Sequence, residues 1–270
     1  MNSDSAADRV DTTKPHPARR YDYWLGGKDN FAADRESADA VAEAFPTVRL
    51  AAVENRNFLR RVTRYLAAEA GIRQFLDIGT GLPTAGNVHE IAQGIAPQSR
   101  IVYVDNDPIV LVHARHLLDS SPEGATAYLD ADLRRPAEIL SHPDLLATLD
   151  LSQPVALMVV AVMHFMTDEQ QPYELLRTLI EPLAPGSYLV MSHATSDHLD
   201  EDELARSSEA NQRSGVPFQL RSSAEFAKFF DGLTLVPPGI TAVTTWRPEE
   251  YRPHPRPEAV SMLGAVARIP

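Results

Sequence analysis

The chain has 270 residues, 44% of them hydrophobic, with no cysteine and a formal charge of −12. That length can bury roughly 75% of the unfolded surface, enough for one catalytic domain with an extension, and the missing cysteines exclude disulfides, thiolate metal sites and a cysteine nucleophile. Proteins that grip phosphates usually display a basic patch, so the acidic balance argues against a nucleic-acid substrate.

Residues 1–17 are polar and charged, contain no apolar signal core, and read as a disordered start. Residues 18–70 read as an N-terminal helical cover. Tyr21, Tyr23 and Trp24 precede Gly26 and Gly27, then Lys28, Asn30 and Phe31, a mixture that can stack on a flat ligand and bring donors close to it. Helices are expected over Asp34–Phe45 and Thr47–Ala70, interrupted by Pro46. Strands are expected at Gln74–Ile78, Arg100–Asp105, Thr126–Leu129, Val155–Val162 and Ser187–Ser192, with helices over Thr84–Gly94, Pro108–Leu118 and Asp168–Leu183 between them. This alternation predicts a mostly parallel sheet covered on both faces.

The acid-rich segment Ser196–Glu209 holds six acidic residues and one arginine, and runs to Gly215 and Pro217. It reads as a helix with carboxylates at its N-terminus and a glycine stop, within a lid insertion at about 197–220; the other reading is an acidic lid that favours amines. Leu233–Val236 and the final apolar run Ala259–Ile269 complete the pattern. The longest apolar stretch, Val155–Met163, is too short to span a bilayer, so a cytoplasmic protein without membrane association is expected.

Three strand ends carry the chemistry. Phe75–Thr84 reads FLDIGTGLPT, a strand that ends in Asp77 and runs into a turn with Gly79 and Gly81. Glycines there permit positive φ and close approach of a ligand to bare backbone. A dinucleotide fingerprint needs a third glycine, and Thr84 stands in its place; Asp77 would lie unfavourably close to a pyrophosphate but could accept from an amine. Asp105 ends the next strand 24 residues after Gly81, near the offset of about 20 at which such sites place an acid for ribose hydroxyls. Asp130 and Asp132 end the third strand; either could accept from an adenine amino group, or simply cap the next turn.

These residues resemble a class I S-adenosylmethionine-dependent methyltransferase. A narrower likeness runs through Ala18–Glu36, Glu54–Arg61, FLDIGTGLPT and Val104–Arg115, which are similar to an actinobacterial methyltransferase family once catalogued as a domain of unknown function, DUF574. The resemblance implies a Rossmann-like fold over residues 71–270: a seven-stranded, mostly parallel sheet with helices on both faces, whose last strand is antiparallel and inserted beside its predecessor. It implies S-adenosyl-L-methionine as cofactor, bound by Asp77, Gly79, Thr80, Gly81, Asp105, Asn106, Asp132 and Leu133, with Lys28 or Arg56 pairing its carboxylate beneath the N-terminal segment.

His164 and His193 each follow a strand and are candidate proton acceptors near the transferred methyl; the alternative for each is a partner at its strand end. No G-x-S-x-G, H-E-x-x-H or P-loop motif is present. His113 and His116 are three apart with no third ligand at a recognisable spacing, so no metal is expected. The expected activity is methyl transfer to an oxygen or nitrogen of a small molecule. The competing functions are an NAD(P)-dependent oxidoreductase and a non-catalytic S-adenosylmethionine-binding regulator.

Overall fold

In the computed structural model, residues 10–117, 120–249 and 253–270 are described. The expectation for residues 1–9 lies outside them. The described residues open with three helices, α1 (Pro17–Trp24), α2 (Ala32–Ala44) and α3 (Val48–Ala68). Pro17 begins α1, where its missing N–H is no loss, and Pro46 separates α2 from α3. Alternation follows: β1 (Gln74–Ile78), α4 (Val88–Ile95), β2 (Arg100–Asp105), α5 (Pro108–Leu117), β3 (Ala125–Asp130), α6 (Pro136–Leu140), α7 (Pro143–Thr148), β4 (Ala156–Val160), α8 (Pro172–Ile180) and β5 (Tyr188–Ala194). The C-terminal part adds α9 (Glu201–Ser214), α10 (Ser223–Ala227), β6 (Thr234–Leu235), β7 (Thr241–Ala242), α11 (Pro257–Val260) and β8 (Met262–Arg268).

The sheet order is β3-β2-β1-β4-β5-β8-β6. Strands β1 to β5 are parallel neighbours, and β8 runs antiparallel between β5 and β6. The expected inverted last strand is therefore present; the two-residue β7, paired with β8, is an addition to the seven strands. Side chains along β1 alternate between the faces, as the two-residue strand period requires. Leu76 and Ile78 join one apolar cluster with Val102, Leu129 and Leu157, while Phe75 joins the other with Phe58, Tyr103 and Met158.

Four local expectations are corrected. The helix after the glycine turn starts at Val88 rather than Thr84, because Gly86 turns at φ +77° and Asn87 precedes the first helical residue. The helix expected over Asp168–Leu183 is broken at Gln171, which is left-handed at φ 52°; a short 3-10 turn covers Asp168–Gln170 and α8 starts at Pro172. Proline disfavours the right-handed helical conformation in the residue before it, so a break ahead of Pro172 was legible in the sequence. Strand β4 ends at Val160, and Ala161 turns away at φ 58°. Finally, residues 10–17 do not form a loose start: His16 and Pro15 pack on the domain, with the His16 backbone N–H donating to Asp34 at 2.9 Å.

The acidic insertion forms α9 as expected, with a reciprocal cap between Asp200 and Glu203 and a left-handed Gly215 at φ 70°. It lies against α2, where Ser37 Oγ donates to the Ser214 carbonyl at 2.6 Å. Among the described residues, no helix is long and apolar enough to cross a membrane.

Candidate functional site

A cavity of about 350 Å³ opens at the carboxyl ends of β1, β2 and β3, the end at which open α/β sheets bind ligands. Asp77, Asp105 and Asp132 border it from below; Pro15–Ala18 and Tyr21 roof it from one side and Gly215–Pro217 from another. The sequence-expected residues Gly79, Thr80, Gly81, Asn106, Leu133 and Arg56 also line it.

The floor is the glycine turn. Gly79 and Gly81 lie at φ +70° and +67°, and a Cβ on Gly79 would come within 2.4 Å of a Val162 methyl, so both the backbone and the space require glycine at 79. The Gly81 N–H donates to Asp105 Oδ2 at 2.7 Å, and the Asp107 N–H donates to Oδ1 at 3.0 Å. Asp105 is thus locked by backbone before any ligand arrives. Burial pushes its carboxyl above the ordinary range, against the opposing pull of His16 and those two N–H groups.

Asp77 is buried at the end of β1, and its carboxyl is pushed up to about 7 by burial; Arg56 and the Thr80 hydroxyl, 3.3 Å away, pull the other way. Burial likewise lowers the Arg56 guanidinium, with Tyr21 and Asp77 opposing. The chemistry around Arg56 is unfinished. Its Nε and the Thr84 hydroxyl are both buried without a protein partner. Both residues meet at Asn87 Oδ1, which lies 3.5 Å from Arg56 Nη2 and 3.3 Å from the Thr84 N–H. A guanidinium Nε and a hydroxyl left without acceptors, together with a buried carboxyl, are the set a free α-amino acid needs: acceptor for its ammonium, donors for its carboxylate. The residues present therefore fit the methionine end of S-adenosylmethionine.

On the β3 side, Asp132 is paired with Arg134 and accepts from Asn106 Nδ2 at 3.4 Å. Burial would raise its carboxyl, but the Arg134 bonds prevail and hold it below the usual range. Asp130 is not among the lining residues.

Lys28 is exposed and does not line the cavity, which leaves Arg56 of the two cations expected there. His164 and His193 do not line it either. His164 is buried against Phe165 and Phe218, with its Nδ1 accepting from the Ala194 N–H at 3.4 Å. His193 is buried beside it: Nδ1 donates to the Ala194 carbonyl at 2.7 Å and Nε2 accepts from Arg221 Nη1 at 2.9 Å. Burial and neighbouring positive charge hold His164 well below the ordinary histidine range, and burial takes His193 down to about 4. Both are neutral packing groups behind the cavity wall, and their position just past apolar strands gave no sign of which way they turn.

Residues that the sequence reading passed over complete the site. His16, in the segment read as disordered, lines the cavity and reaches Asp107 Oδ2 at 3.0 Å and Asn106 Oδ1 at 3.2 Å. Asn55, one residue before Arg56, donates to the Tyr21 hydroxyl at 2.9 Å and accepts from Ser192 Oγ at 2.6 Å; that oxygen receives the Ala161 N–H at 2.9 Å. This chain ties α1 and α3 to the ends of β4 and β5. His113 lies 3.6 Å from Asp29, and the His116 side chain is outside the described residues; among the described residues no three potential metal ligands cluster.

A family model described as S-adenosyl methyltransferase matches residues 3–270. The chain belongs to the S-adenosyl methyltransferase family. S-adenosyl-L-methionine is its methyl donor, and the dinucleotide oxidoreductase alternative falls away. Two solved structures resemble this family member over nearly their whole lengths. A DUF574 family protein from Streptomyces avermitilis is 49% identical, covering 97% of this chain and 100% of that one at a TM-score of 0.92. A protein from Thermobifida fusca described as a candidate methyltransferase is 39% identical, covering 96% of each chain at 0.88. No curated protein matches the sequence.

Proposed function

We propose that this methyltransferase transfers a methyl group to an oxygen or nitrogen atom of a small organic molecule, with the donor held by Asp77, Gly79, Thr80, Gly81, Asp105, Asn106, Asp132, Leu133 and Arg56. The observation that carries this reading is the convergence of Asp77, the Arg56–Thr84 pair, Asp105 and Asp132 on one roofed cavity. Asp77 accepts from the donor's ammonium, Arg56 and Thr84 hold its carboxylate, and Asp105 and Asp132 take the ribose and adenine ends.

The bound donor supplies a sulfonium-activated methyl group, so the protein's task is placement of the acceptor. The walls toward β4 and the insertion are apolar, formed by Val162, Phe165, Met166, Val216 and Pro217. A roofed space with such walls suits a small, partly apolar acceptor better than a nucleic-acid strand, in keeping with the acidic charge. A cytoplasmic setting is part of this reading, since a chain without cysteine requires no oxidising compartment. No proton transfer is assigned to His164 or His193.

Titration of S-adenosylhomocysteine by calorimetry, followed by labelled methyl transfer to a panel of phenols and amines, tests the reading. Saturable binding that is lost in Asp105→Ala, with label appearing in a small acceptor, is the expected result. Failure of the wild-type protein to bind S-adenosylhomocysteine would remove the site assignment, and transfer only to macromolecules would remove the acceptor class.

A further inference from the structure

The roof over the adenosyl end is held by charge rather than by apolar packing. The fully buried side chains of α1 are Arg19, Arg20 and Asp22. Arg19 Nε donates to Asp107 at 3.0 Å and its Nη1 lies 3.5 Å from Asp34. His16, just before α1, sits at the cavity edge of this network.

Its two ring nitrogens have defined demands. Nδ1 accepts from the Ala18 N–H at 3.3 Å, capping α1, and lies 3.0 Å from Asp107 Oδ2, a carboxylate that favours a proton on Nδ1 at the expense of that cap. Nε2 faces Asn106 Oδ1 at 3.2 Å. Which end of Asn106 points there is fixed by Asp132, a carboxylate that can only accept and takes Asn106 Nδ2. Nε2 must therefore donate as well. The Asp107 and Asn106 contacts together call for the doubly protonated ring, which gives up the Ala18 N–H in exchange for an ion pair with Asp107.

We propose that His16 is a positioning residue for the methyl donor: as an imidazolium bridging Asp107 and Asn106 it fastens the N-terminal segment over the adenosyl end, and the adenosyl group is held more tightly when His16 is charged. The inference rests on the donor-site reading given above. A neutral ring protonated on Nε2 keeps Asn106 and the Ala18 N–H and gives up Asp107, so the N-terminal segment loses its ionic tie to the connection after β2.

The groups that face the ring set the sign. From the last residue of β2 and the connection after it, Asp105 and Asp107 favour the charged form; from α2, Asp34 holds the His16 backbone; on α1, Arg19 opposes the charge. Asp132, which Asn106 contacts on its other side, is paired with Arg134. Burial also opposes charge on His16, but the Asp107 bond and the two carboxylates outweigh it, and its pKa stands above the ordinary histidine value.

Adenosine is the discriminating probe, since it lacks the amino-acid end and so is blind to Asp77. Its affinity for the wild-type protein should fall roughly tenfold as pH rises through the histidine range toward about 8, the loss expected for one charge-assisted bond, while His16→Gln should bind it weakly and with no slope. In ligand-free protein the His16 ring proton should titrate above the ordinary histidine value by NMR. Equal affinity and equal slope in wild type and His16→Gln would overturn the proposal. So would a ring that titrates at or below the ordinary value, and this second reading decides the matter even if adenosine and S-adenosylhomocysteine both fail to bind, the outcome that would instead sink the donor-site reading.

Discussion

The backbone N–H of Gly81 donates to the side chain of Asp105 at 2.7 Å, joining the first strand's turn to the second strand's terminal acid. One carboxylate thus shapes the turn and lines the cavity. Asp105→Ala should remove both services: S-adenosylhomocysteine affinity should drop by about ten- to a hundredfold, the range for a lost bond to a charged group, with the loss read by calorimetry. Asp105→Asn, which can keep one acceptor, should fall between.

Asp77 illustrates a site residue that weakens the free protein. Its folded pKa of about 7 lies above the unfolded value near 3.8, so folding favours the protonated form. The ionised carboxyl costs stability increasingly from about pH 4 to about pH 7, and the full cost remains above that. Asp77→Asn should therefore melt at a higher temperature than wild type at pH 8, with the gain disappearing toward pH 4, while its affinity for S-adenosylhomocysteine collapses. Thermal melts across pH, paired with calorimetry, check both halves.

Arg56 and Thr84 should matter only for ligands that carry the amino-acid end. Arg56→Gln should weaken S-adenosylhomocysteine by about ten- to a hundredfold and Thr84→Val by about fivefold, on the magnitudes of charged and neutral hydrogen bonds, with adenosine binding unchanged in both. Competition titrations with the two ligands separate the ends. Equal losses for both ligands would mean that the residues act on the fold.

His193 should behave as a structural histidine. Its folded pKa, about 4, lies below the unfolded value of about 6.5, so the unfolded chain takes up a proton that the folded one refuses. Stability from this group is present above pH 6.5 and is lost as pH falls toward 4. His193→Ala should lower stability at neutral pH by about 2 kcal/mol, because buried Arg221 loses an acceptor, yet leave S-adenosylhomocysteine affinity within about twofold of wild type. Denaturant titrations and calorimetry on one preparation test this.

How much of this could be read in the sequence depends on the range of the interaction. Strands β1 and β2 match their expected limits, because a buried parallel strand is a continuous apolar run; the Gly79 turn closes it after Ile78, and the polar Asn106–Asp107 pair after Asp105. Asp77, Gly79, Gly81 and Asp105 were legible for the same reason: local backbone need and ligand chemistry coincide within a few residues. Ala161 was not, since no glycine marks its left-handed turn, which rests on Ser192 of the neighbouring strand. His16 was hidden in a polar segment whose order comes from Asp34 and Asp107, far along the chain. Lys28 and Arg56 were indistinguishable by type; the amphipathic helix α3 brings Arg56 to the cavity, whereas Lys28 lies beyond the end of α1 in an exposed stretch.

The roof helix α1 buries two arginines and an aspartate, and the roof's other side comes from Gly215–Pro217. A cooperative melt reports the two apolar clusters flanking the sheet, to which α1 adds only the partly buried Ala18. The ion pairs under α1 are buried and so only weakly screened by salt, and a local opening of the roof should therefore go unseen in the melting temperature. A preparation can be fully folded by calorimetry and still be unfit to hold its ligand.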